Sequence, residues 1–306
     1  MLTAPHFERI LAMWKYADKL PCMVLLGDFW QLPVVEKGVA RCDGSQAWDA
    51  HIKTISFREQ VRCKCPKLQE KLNILREAQP SMKQLKKKLL RGHRAWTTNE
   101  PTAYDILELF RKHEETTIVT CSRQACAKAN ALAVEAFFEH RHKHPLGNIL
   151  FDYEANLENY EDKKGLKKSG ALKGAPTDVY KGMKVFLTKN LDKEHDFVNG
   201  MLATVEDYNE RSKCLQVLTR TKQRLAVHMV CNELDDGRKV SCFPVRAGYA
   251  STIPKVQGMT VPHITIWLDS IGCRAASYVA MSRVQTDDDY LIAGGPLTVR
   301  HFMPAQ

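Results

Sequence analysis

The stretch Cys22-Met-Val-Leu-Leu-Gly-Asp-Phe-Trp-Gln-Leu-Pro33 decides the predicted fold of this chain. A short, wholly apolar run that ends in Gly-Asp is typical of a parallel strand that delivers a loop to a site at its carboxyl edge. Asp28 and Gln31 would stand at that edge, where a glutamine can donate to a phosphate oxygen and accept from a water. A strand-end turn with a capping aspartate explains the same residues equally well.

The remainder of the chain alternates helical and strand patterns, which predicts an α/β fold. Strands are expected over 116–120, 263–269 and 290–293, and helices over 5–17, 65–94, 104–112, 123–139 and 275–283. Between Met183 and Val245 the pattern changes to short alternating segments separated by turn signals such as Asn199-Gly200. This change predicts a small all-β unit, a barrel, set inside the α/β part. The polar stretch 146–178 indicates a loop or an insertion.

Length and composition bound the class of protein. The 306 residues allow two domains or one large domain, and 44% hydrophobic residues are enough for a packed core. No apolar run approaches the roughly 18–20 residues of a membrane span, and the N-terminus has no signal-peptide segment. Scattered cysteines fit a reducing compartment. Cys63-Lys-Cys65 lacks the usual zinc spacing and a matching second pair, so no metal site is predicted.

The charge of the chain points to its partners. A net charge of +10 favours polyanions. Part of the positive charge is clustered over 83–94 and, more loosely, over 141–168. Solvated helix faces and a loop are the commoner explanation of each single run, so charge alone does not establish nucleic-acid binding.

Three further blocks carry residues suited to phosphate chemistry. Phe57-Arg-Glu-Gln-Val-Arg62 ends in an arginine, although a lone arginine more often pairs with a carboxylate. Tyr249-Ala-Ser-Thr-Ile-Pro-Lys-Val-Gln-Gly-Met-Thr260 places hydroxyls, an amide and a lysine on one loop, which suits contacts to phosphates of DNA or of a nucleotide. Ser277-Tyr-Val-Ala-Met-Ser-Arg283 is a short apolar helix that ends in an arginine. A guanidinium there can stabilise charge on a transferring phosphoryl group, as an arginine finger does.

In this order, the blocks resemble those of the PIF family of superfamily-one, 5′→3′ DNA helicases, relatives of RecD. The block at 26–33 looks like the family's Gly-Asp-Phe-x-Gln-Leu-Pro-Pro, and 57–62 resembles its Glu-Gln-Met-Arg. The block at 249–260 is similar to Thr-Ile-His-Lys-Ser-Gln-Gly-Met-Thr, and 277–283 to Tyr-Val-Ala-Leu-Ser-Arg. A fifth block, Val198-Asn-Gly-Met-Leu-Ala-Thr-Val205, looks like the family's Val-Asn-Gly-x-x-Gly-x-Val. The resemblance covers about 1–293 and is weakest over 146–178.

The resemblance implies a fold and a domain organisation. The fold is expected to be α/β, with RecA-like parallel sheets of the P-loop NTPase type, an incomplete first lobe and an inserted small β-barrel. Residues 1–55 would be the remnant of the first RecA-like domain. Residues 56–180 and 246–306 would form the second RecA-like domain, and 181–245 the barrel. The implied activity is ATP-dependent translocation on single-stranded DNA and duplex unwinding, with roles in DNA repair, recombination and telomere maintenance.

The resemblance also implies roles for individual residues. Gln31 would contact the terminal phosphate of ATP or the attacking water, and Asp28 would orient that site. Arg62 and Arg283 would neutralise phosphate charge. Coupling of nucleotide state to DNA is assigned to Gln257 and Gly258, and DNA contacts to Thr252, Lys255 and Thr260. ATP and Mg²⁺ are the expected cofactors, and single-stranded DNA and DNA junctions the expected partners, with no membrane. The expected location is intracellular, in the nucleus or else the mitochondrion.

The chain departs from the family pattern most clearly by an absence. Its sequence holds no Gly-x-x-x-x-Gly-Lys-Ser/Thr P-loop and no Asp-Glu pair for magnesium. Met1 falls on the last residue of the family's Asp-Glu-Ile-Ser-Met, which predicts a fragment or a misplaced gene start and a chain that is inactive by itself. Pro254 and Val256 replace the usual His and Ser, and Val34 replaces the second Pro of the first motif. The changes at Pro254 and Val256 make the DNA role of the segment 249–260 weaker than the roles of the arginines.

Two alternatives stay open beside the helicase hypothesis. In the first alternative, the chain is a nucleic-acid-binding module without catalysis. In the second, it is the helicase domain of a rolling-circle transposon protein. Salt-sensitive binding of single-stranded DNA without ATP turnover would favour the module.

Overall fold

The computed structural model describes residues 2–16, 22–33, 38–57, 61–77, 80–139, 146, 179–190, 194, 197–233 and 239–305. Two compact units divide the chain. The first unit comprises Met1–Asn99 and Val256–Gln306, and the second unit comprises Glu100–Lys255. The predicted limits of the RecA-like domains stay a prediction. The predicted loop at 146–178 lies outside the described residues except for Leu146.

The helices and strands follow one another along the chain as the alternating pattern predicts. The helices are α1 (Ala4–Lys15), α2 (Gln46–His51), α3 (Pro66–Glu77), α4 (Met82–Gln84), α5 (Ala103–Lys112), α6 (Arg123–Val134), α7 (Ile253–Val256) and α8 (Ala276–Met281). The strands are β1 (Thr116–Thr120), β2 (Lys184–Leu187), β3 (Leu202–Asn209), β4 (Cys214–Thr219), β5 (Arg224–His228), β6 (Val230–Glu233), β7 (Lys239–Cys242), β8 (Val245–Ala247), β9 (Ala250–Thr252), β10 (His263–Trp267) and β11 (Tyr290–Ala293). Wider π-helical turns extend α4 over Leu85–Leu90 and α6 over Glu135–Glu139. None of the helices described here has the length and apolar character that a membrane crossing requires.

The first unit begins with a capped amphipathic helix. The hydroxyl of Thr3 accepts the His6 N–H and caps α1. One face of α1 buries Phe7, whose ring lies 5.3 Å from that of Trp48 on α2. Trp48 also meets Phe29 at 5.8 Å, edge to face. This aromatic cluster therefore anchors the loop that follows the apolar run at 22–27.

The apolar run itself does not form the predicted strand. Residues 22–27 belong to no ladder among the described residues, and Val24 and Leu26 are 71% and 87% exposed. A strand exists only where neighbouring strands satisfy its N–H and C=O groups. The apolar side chains of this run would suit the interior of a sheet. Whether they are buried depends on neighbouring strands, which the sequence of the run does not determine.

The predicted helix at 65–94 is divided in two, because Pro80 cannot continue a helix. After the break, Ser81 and Gln84 form a reciprocal capping box: the Ser81 hydroxyl accepts the Gln84 N–H and the Gln84 side chain accepts the Ser81 N–H. The first unit is completed by the parallel pair β10–β11 and by the fully buried helix α8.

The second unit combines a parallel strand pair with an antiparallel sheet. Strands β1 and β9 pair in parallel, and α6 is tied to β9 through Asn130, whose side-chain oxygen accepts the N–H groups of Tyr249 and Ala250 at 3.1 and 3.0 Å. The antiparallel strands follow the order β5-β4-β3-β2-β8, and β6 and β7 form a separate hairpin. The predicted antiparallel unit is thus confirmed. Its ladders form an open sheet across the described residues, because β5 and β8 pair with one neighbour each and not with each other.

Candidate functional site

A tight turn after the apolar run organises the first part of the site. Asp28 accepts the Trp30 N–H at 2.9 Å through Oδ1, and its backbone oxygen accepts the Gln31 N–H at 3.1 Å. Oδ2 also accepts from the Gln31 side-chain nitrogen at 3.3 Å. Asp28 therefore does cap a turn, as the simpler interpretation held, and in doing so it fixes the amide of Gln31.

Two contacts join this turn to distant parts of the first unit. Gln257 donates from Nε2 to the side-chain oxygen of Gln31 at 2.7 Å. The Tyr278 hydroxyl, on α8, donates to Asp28 Oδ2 at 3.4 Å. Burial raises the pKa of Tyr278, and the negative charge of Asp28 raises it further. The tyrosine therefore stays protonated and remains a donor at neutral pH.

Two arginines lie beside α8. Arg62 donates from Nε to the Thr260 hydroxyl at 2.9 Å and from Nη1 to the Ser282 carbonyl at 3.1 Å. Arg283 is 2% exposed, and it donates to the Val279 carbonyl at 2.9 Å and to the Ser282 hydroxyl at 2.7 Å. Both guanidiniums therefore share Ser282 as a neighbour.

The charge of Arg283 is poorly compensated. Burial lowers its pKa to about 10, and the neighbouring charge of Arg62 acts in the same direction, whereas Tyr278 and Asp28 oppose it. Its hydrogen-bond partners are a carbonyl and a hydroxyl, both neutral. A buried, protonated guanidinium without a bound carboxylate is costly in a folded protein, so this position suits a group that receives an anion.

The structure places the predicted residues as follows. Gln31, Asp28 and Gln257 are joined by hydrogen bonds, and Asp28 and Arg62 both act on the titration of Arg283. Gly258 has a φ of +86°, a left-handed conformation that favours glycine. Thr260, predicted to contact DNA, accepts from Arg62. Thr252 and Lys255 belong to the second unit.

Sequence reasoning missed two residues of this site. Tyr278 lies inside the block at 277–283, and the hydroxyl that it carries on a buried apolar helix could have marked it as a hydrogen-bond donor. Arg76 on α3 has its guanidinium 5.5 Å from the Trp30 ring centroid, and its buried Nε has no hydrogen-bond partner among the residues that the structure describes. Arg76 lies in a basic segment, and nothing in the local sequence distinguishes it from the neighbouring charged residues.

The expected cofactors, ATP and Mg²⁺, can be compared with the groups that these side chains offer. Two guanidiniums and a positioned amide match the oxygens of a terminal phosphate. Within the part of the chain that the structure describes, no group of three or more His, Cys, Asp or Glu side chains could hold a metal ion. Gln31, Arg62 and Arg283 therefore fit a phosphate.

No protein-family model and no curated protein matches this sequence. Among solved structures, the chain is similar to the Pif1 helicase in a study of DNA unwinding at forked double-stranded DNA by two coordinating Pif1 helicases, with a TM-score of 0.59 and 19% identity over 91% of this chain and 62% of that chain. It is similar to the Pif1 helicase of Candida albicans, with a TM-score of 0.62 and 19% identity over 91% and 65% of the two chains. Bacteroides Pif1 bound to single-stranded DNA gives a TM-score of 0.66 and 17% identity over 99% and 70%.

These similarities define the class of fold. The chain has a RecA-like helicase fold with an antiparallel sheet beside its parallel strands. Within that class, its fold is the one found in Pif1 helicases. The chain spans less than two thirds of the length of the first two of these structures, at 62% and 65%.

Proposed function

We propose that this chain is part of an ATP-dependent 5′→3′ DNA helicase of the PIF family, which couples ATP hydrolysis to movement along single-stranded DNA and to duplex unwinding. The ordered sequence blocks and the Pif1-like fold support this proposal. Further support comes from similar structures described as bound to single-stranded DNA or as acting at forked DNA. The implied roles in DNA repair, recombination and telomere maintenance belong to the same proposal.

One observation carries the proposal. Residues far apart in the sequence come together here: Gln31 is hydrogen-bonded to Gln257, and the Arg62 and Arg283 guanidiniums both donate to Ser282. The charges of Arg62 and Asp28 both act on Arg283. A phosphoryl group in transfer bears charge on its equatorial oxygens, and positioned cations stabilise that charge. Arg283 keeps its proton at neutral pH, because its pKa of about 10 is well above 7. It would therefore present a fixed positive charge to the phosphate.

The hydrogen bond between Gln31 and Gln257 suggests how nucleotide state would reach the DNA. Gln257 directly follows β9 and α7, which carry the proposed DNA contacts Thr252 and Lys255. If the Gln31 amide exchanged Gln257 for a phosphate oxygen, Gln257 would be released. A shift of Gln257 would then follow the presence of the terminal phosphate, and it would begin two residues after Lys255.

The proposal assigns only part of the nucleotide site to this sequence. ATP would supply the phosphoryl group, and Mg²⁺ would neutralise charge on its phosphates. Gln31, Arg62 and Arg283 are suited to the terminal phosphate, whereas the sequence contains no P-loop to hold the other phosphates. Hydrolysis is therefore expected only where a P-loop lobe accompanies the chain.

The test uses a protein in which a P-loop lobe precedes this chain. Arg283→Ala should lower DNA-stimulated ATP hydrolysis by about 10³–10⁵-fold, the range seen when an arginine finger is lost. Affinity for single-stranded DNA should be retained. Arg211→Ala, which removes an exposed arginine from a turn of the second unit, is the matched control. Turnover that survives Arg283→Ala would refute the assignment.

A second candidate is a nucleic-acid-binding module without catalysis. The net charge of +10 and the absence of a P-loop from the sequence favour it. The helicase domain of a rolling-circle transposon protein would share the same residues. Titration of the chain alone with single-stranded DNA distinguishes the module, because a module binds in a salt-sensitive manner without any ATP turnover.

A further inference from the structure

Arg41 lies outside the sequence blocks that suggested a helicase, yet its guanidinium reaches the turn that carries Gln31. It donates from Nη1 to the Phe29 carbonyl at 3.0 Å. Its guanidinium carbon also lies 5.0 Å from the centroid of the Phe29 ring. One side chain therefore contacts both the backbone and the ring of a residue that stands two positions before Gln31.

The peptide group that Arg41 contacts is the central one of this turn. The Gln31 N–H donates to the Asp28 backbone oxygen at 3.1 Å, which closes a β-turn with Phe29 and Trp30 as its middle residues. The carbonyl of the middle peptide accepts from Arg41, and the N–H of the same peptide donates to Asp28 Oδ1 at 2.9 Å. Rotation of the middle peptide distinguishes one type of β-turn from another, and here it would break both hydrogen bonds. Arg41 therefore helps to fix the backbone that leads into Gln31.

The guanidinium of Arg41 is itself held in place. It donates from Nε to Asp43 Oδ1 at 3.0 Å and from Nη2 to Asp43 Oδ2 at 2.7 Å. Two parallel bonds of this kind fix the plane of a guanidinium as well as its position. The backbone of Arg41 forms an antiparallel bridge with Thr3, and the Ala4 N–H donates to the Ala40 carbonyl at 2.9 Å. Both the side chain and the backbone of Arg41 are therefore anchored where they support the turn.

The turn receives other contacts through its side chains. Tyr278 donates to the Asp28 carboxylate, and Gln257 donates to the side-chain oxygen of Gln31. A Gln31 side chain that turned to a phosphate would exchange its partner, whereas the bond from Arg41 to the backbone would remain. Arg41 is therefore suited to keeping Gln31 in place while the amide changes partners, which is what a preorganised site requires.

We propose that Arg41 is a positioning residue for Gln31, and that Asp43 holds Arg41 in the orientation this role needs. Arg41 would act through the turn and not by contact with the nucleotide. The inference rests on the proposed function, because positioning affects the reaction only if Gln31 acts on a phosphate or on the attacking water. A displacement of about 1 Å at a reacting centre can reduce a rate by about 10²-fold.

The kinetic test uses a protein in which a P-loop lobe precedes this chain. Arg41→Ala should lower kcat for DNA-stimulated ATP hydrolysis by about 10²-fold and change KM for ATP by less than about 2-fold. Arg41→Lys should recover part of kcat, because an ammonium can still donate to the Phe29 carbonyl but cannot form two parallel bonds with Asp43. Arg9→Ala removes an exposed arginine from α1 and is the matched control, with kcat expected to stay within about 2-fold.

A double variant distinguishes positioning from a general structural role. Gln31→Ala/Arg41→Ala should have the same kcat as Gln31→Ala alone, because Arg41 acts through Gln31. If Arg41 only stabilised the fold, the loss caused by Arg41→Ala would multiply the loss caused by Gln31→Ala.

Hydrogen–deuterium exchange of this chain by itself gives a readout that does not depend on activity. Arg41→Ala should accelerate exchange of the Trp30 and Gln31 amides by about 10–100-fold, the range that corresponds to one hydrogen bond made by a charged group. Exchange in α5 of the second unit should not change. If Arg41→Ala fails to fold, Asp43→Asn decides, and it should accelerate exchange of the same amides by about 10-fold because the guanidinium is held less firmly.

The outcomes separate this inference from the proposed function. If Gln31→Ala lowers turnover and Arg41→Ala does not, the positioning role is overturned and the proposed function stands. Losses that multiply in the double variant, or amide exchange that stays unchanged, overturn the positioning role as well. If Gln31→Ala and Arg283→Ala both leave turnover unchanged, the proposed function fails and the positioning role fails with it.

Discussion

Lys71 offers a quantitative test of how the first unit is held together. Its side chain on α3 is buried, with 7% of the residue exposed. Its ammonium lies 2.6 Å from Asp287 Oδ1, donates to the Tyr290 hydroxyl at 2.9 Å, and lies 3.0 Å from His93 Nε2. Tyr290 passes the network on to the Leu89 carbonyl at 3.1 Å. The network therefore ties α3 to β11 and to the turn that follows α4.

Removal of Lys71 leaves the Asp287 carboxylate with His93 as its neighbour, 3.6 Å from Oδ2, and burial lowers the pKa of His93 so that it is mainly neutral at pH 7. The side chains of Lys71 and Asp287 are only 9% and 14% exposed, so water screens the pair weakly. Breaking such a buried pair costs about 3–5 kcal/mol, because the remaining charge is left uncompensated. We expect Lys71→Met to lower the free energy of unfolding by that amount. This is a large fraction of the roughly 5–15 kcal/mol that stabilises a domain.

Urea unfolding followed by circular dichroism measures this change. The matched control is Lys88→Met, which removes a lysine paired with Glu70 at 2.8 Å but 44% exposed, and which should cost about 0–1 kcal/mol. The double variant Lys71→Met/Asp287→Leu should recover much of the loss, because both charges leave together. If Lys71→Met lowered the free energy of unfolding by less than about 1 kcal/mol, the reasoning would be refuted. The Lys71–Asp287 pair would then contribute no more than an exposed salt bridge does.

Two further predictions concern stability. Burial and the charge of Lys71 lower the pKa of His93 below 6.5, so the unfolded chain binds this proton first as pH falls. The free energy of unfolding should therefore decrease below pH 6.5, and His93→Gln should flatten that decrease in urea titrations at several pH values. Gly248→Ala should cost about 1–3 kcal/mol, because its new Cβ would lie 2.8 Å from the Val185 nitrogen. Gly27→Ala, which meets nothing within 4 Å, should leave the thermal midpoint of unfolding almost unchanged.

Much of the fold follows from local pattern. The predicted strands at 116–120 and 290–293 match β1 and β11 residue for residue, because a short run bounded by turns leaves little choice of limits. The run at 22–27 shows where this reasoning ends, since its apolar sequence is the same whether or not neighbouring strands cover it. A sheet closes into a barrel only when its two edge strands pair with each other. The alternation of apolar and polar residues along a single strand does not show whether they do.

The site was predictable only where its residues belong to sequence blocks. Gln31, Arg62 and Arg283 were predicted because each is a polar residue within or at the end of a block that resembles a family motif. Tyr278 and Arg76 were missed, because their importance lies in contacts with Asp28 and Trp30 across the fold. Such contacts depend on tertiary packing, which periodicity does not encode.

The most direct test of the central claim is a structure of a protein in which a P-loop lobe precedes this chain, bound to single-stranded DNA and to ADP with aluminium fluoride. The aluminium fluoride stands in for the terminal phosphoryl group during transfer. We expect the guanidiniums of Arg62 and Arg283 and the amide of Gln31 to lie within about 2.7–3.2 Å of its fluorine atoms. Guanidiniums that still donate to Ser282, with the aluminium fluoride bound by other side chains, would contradict these roles.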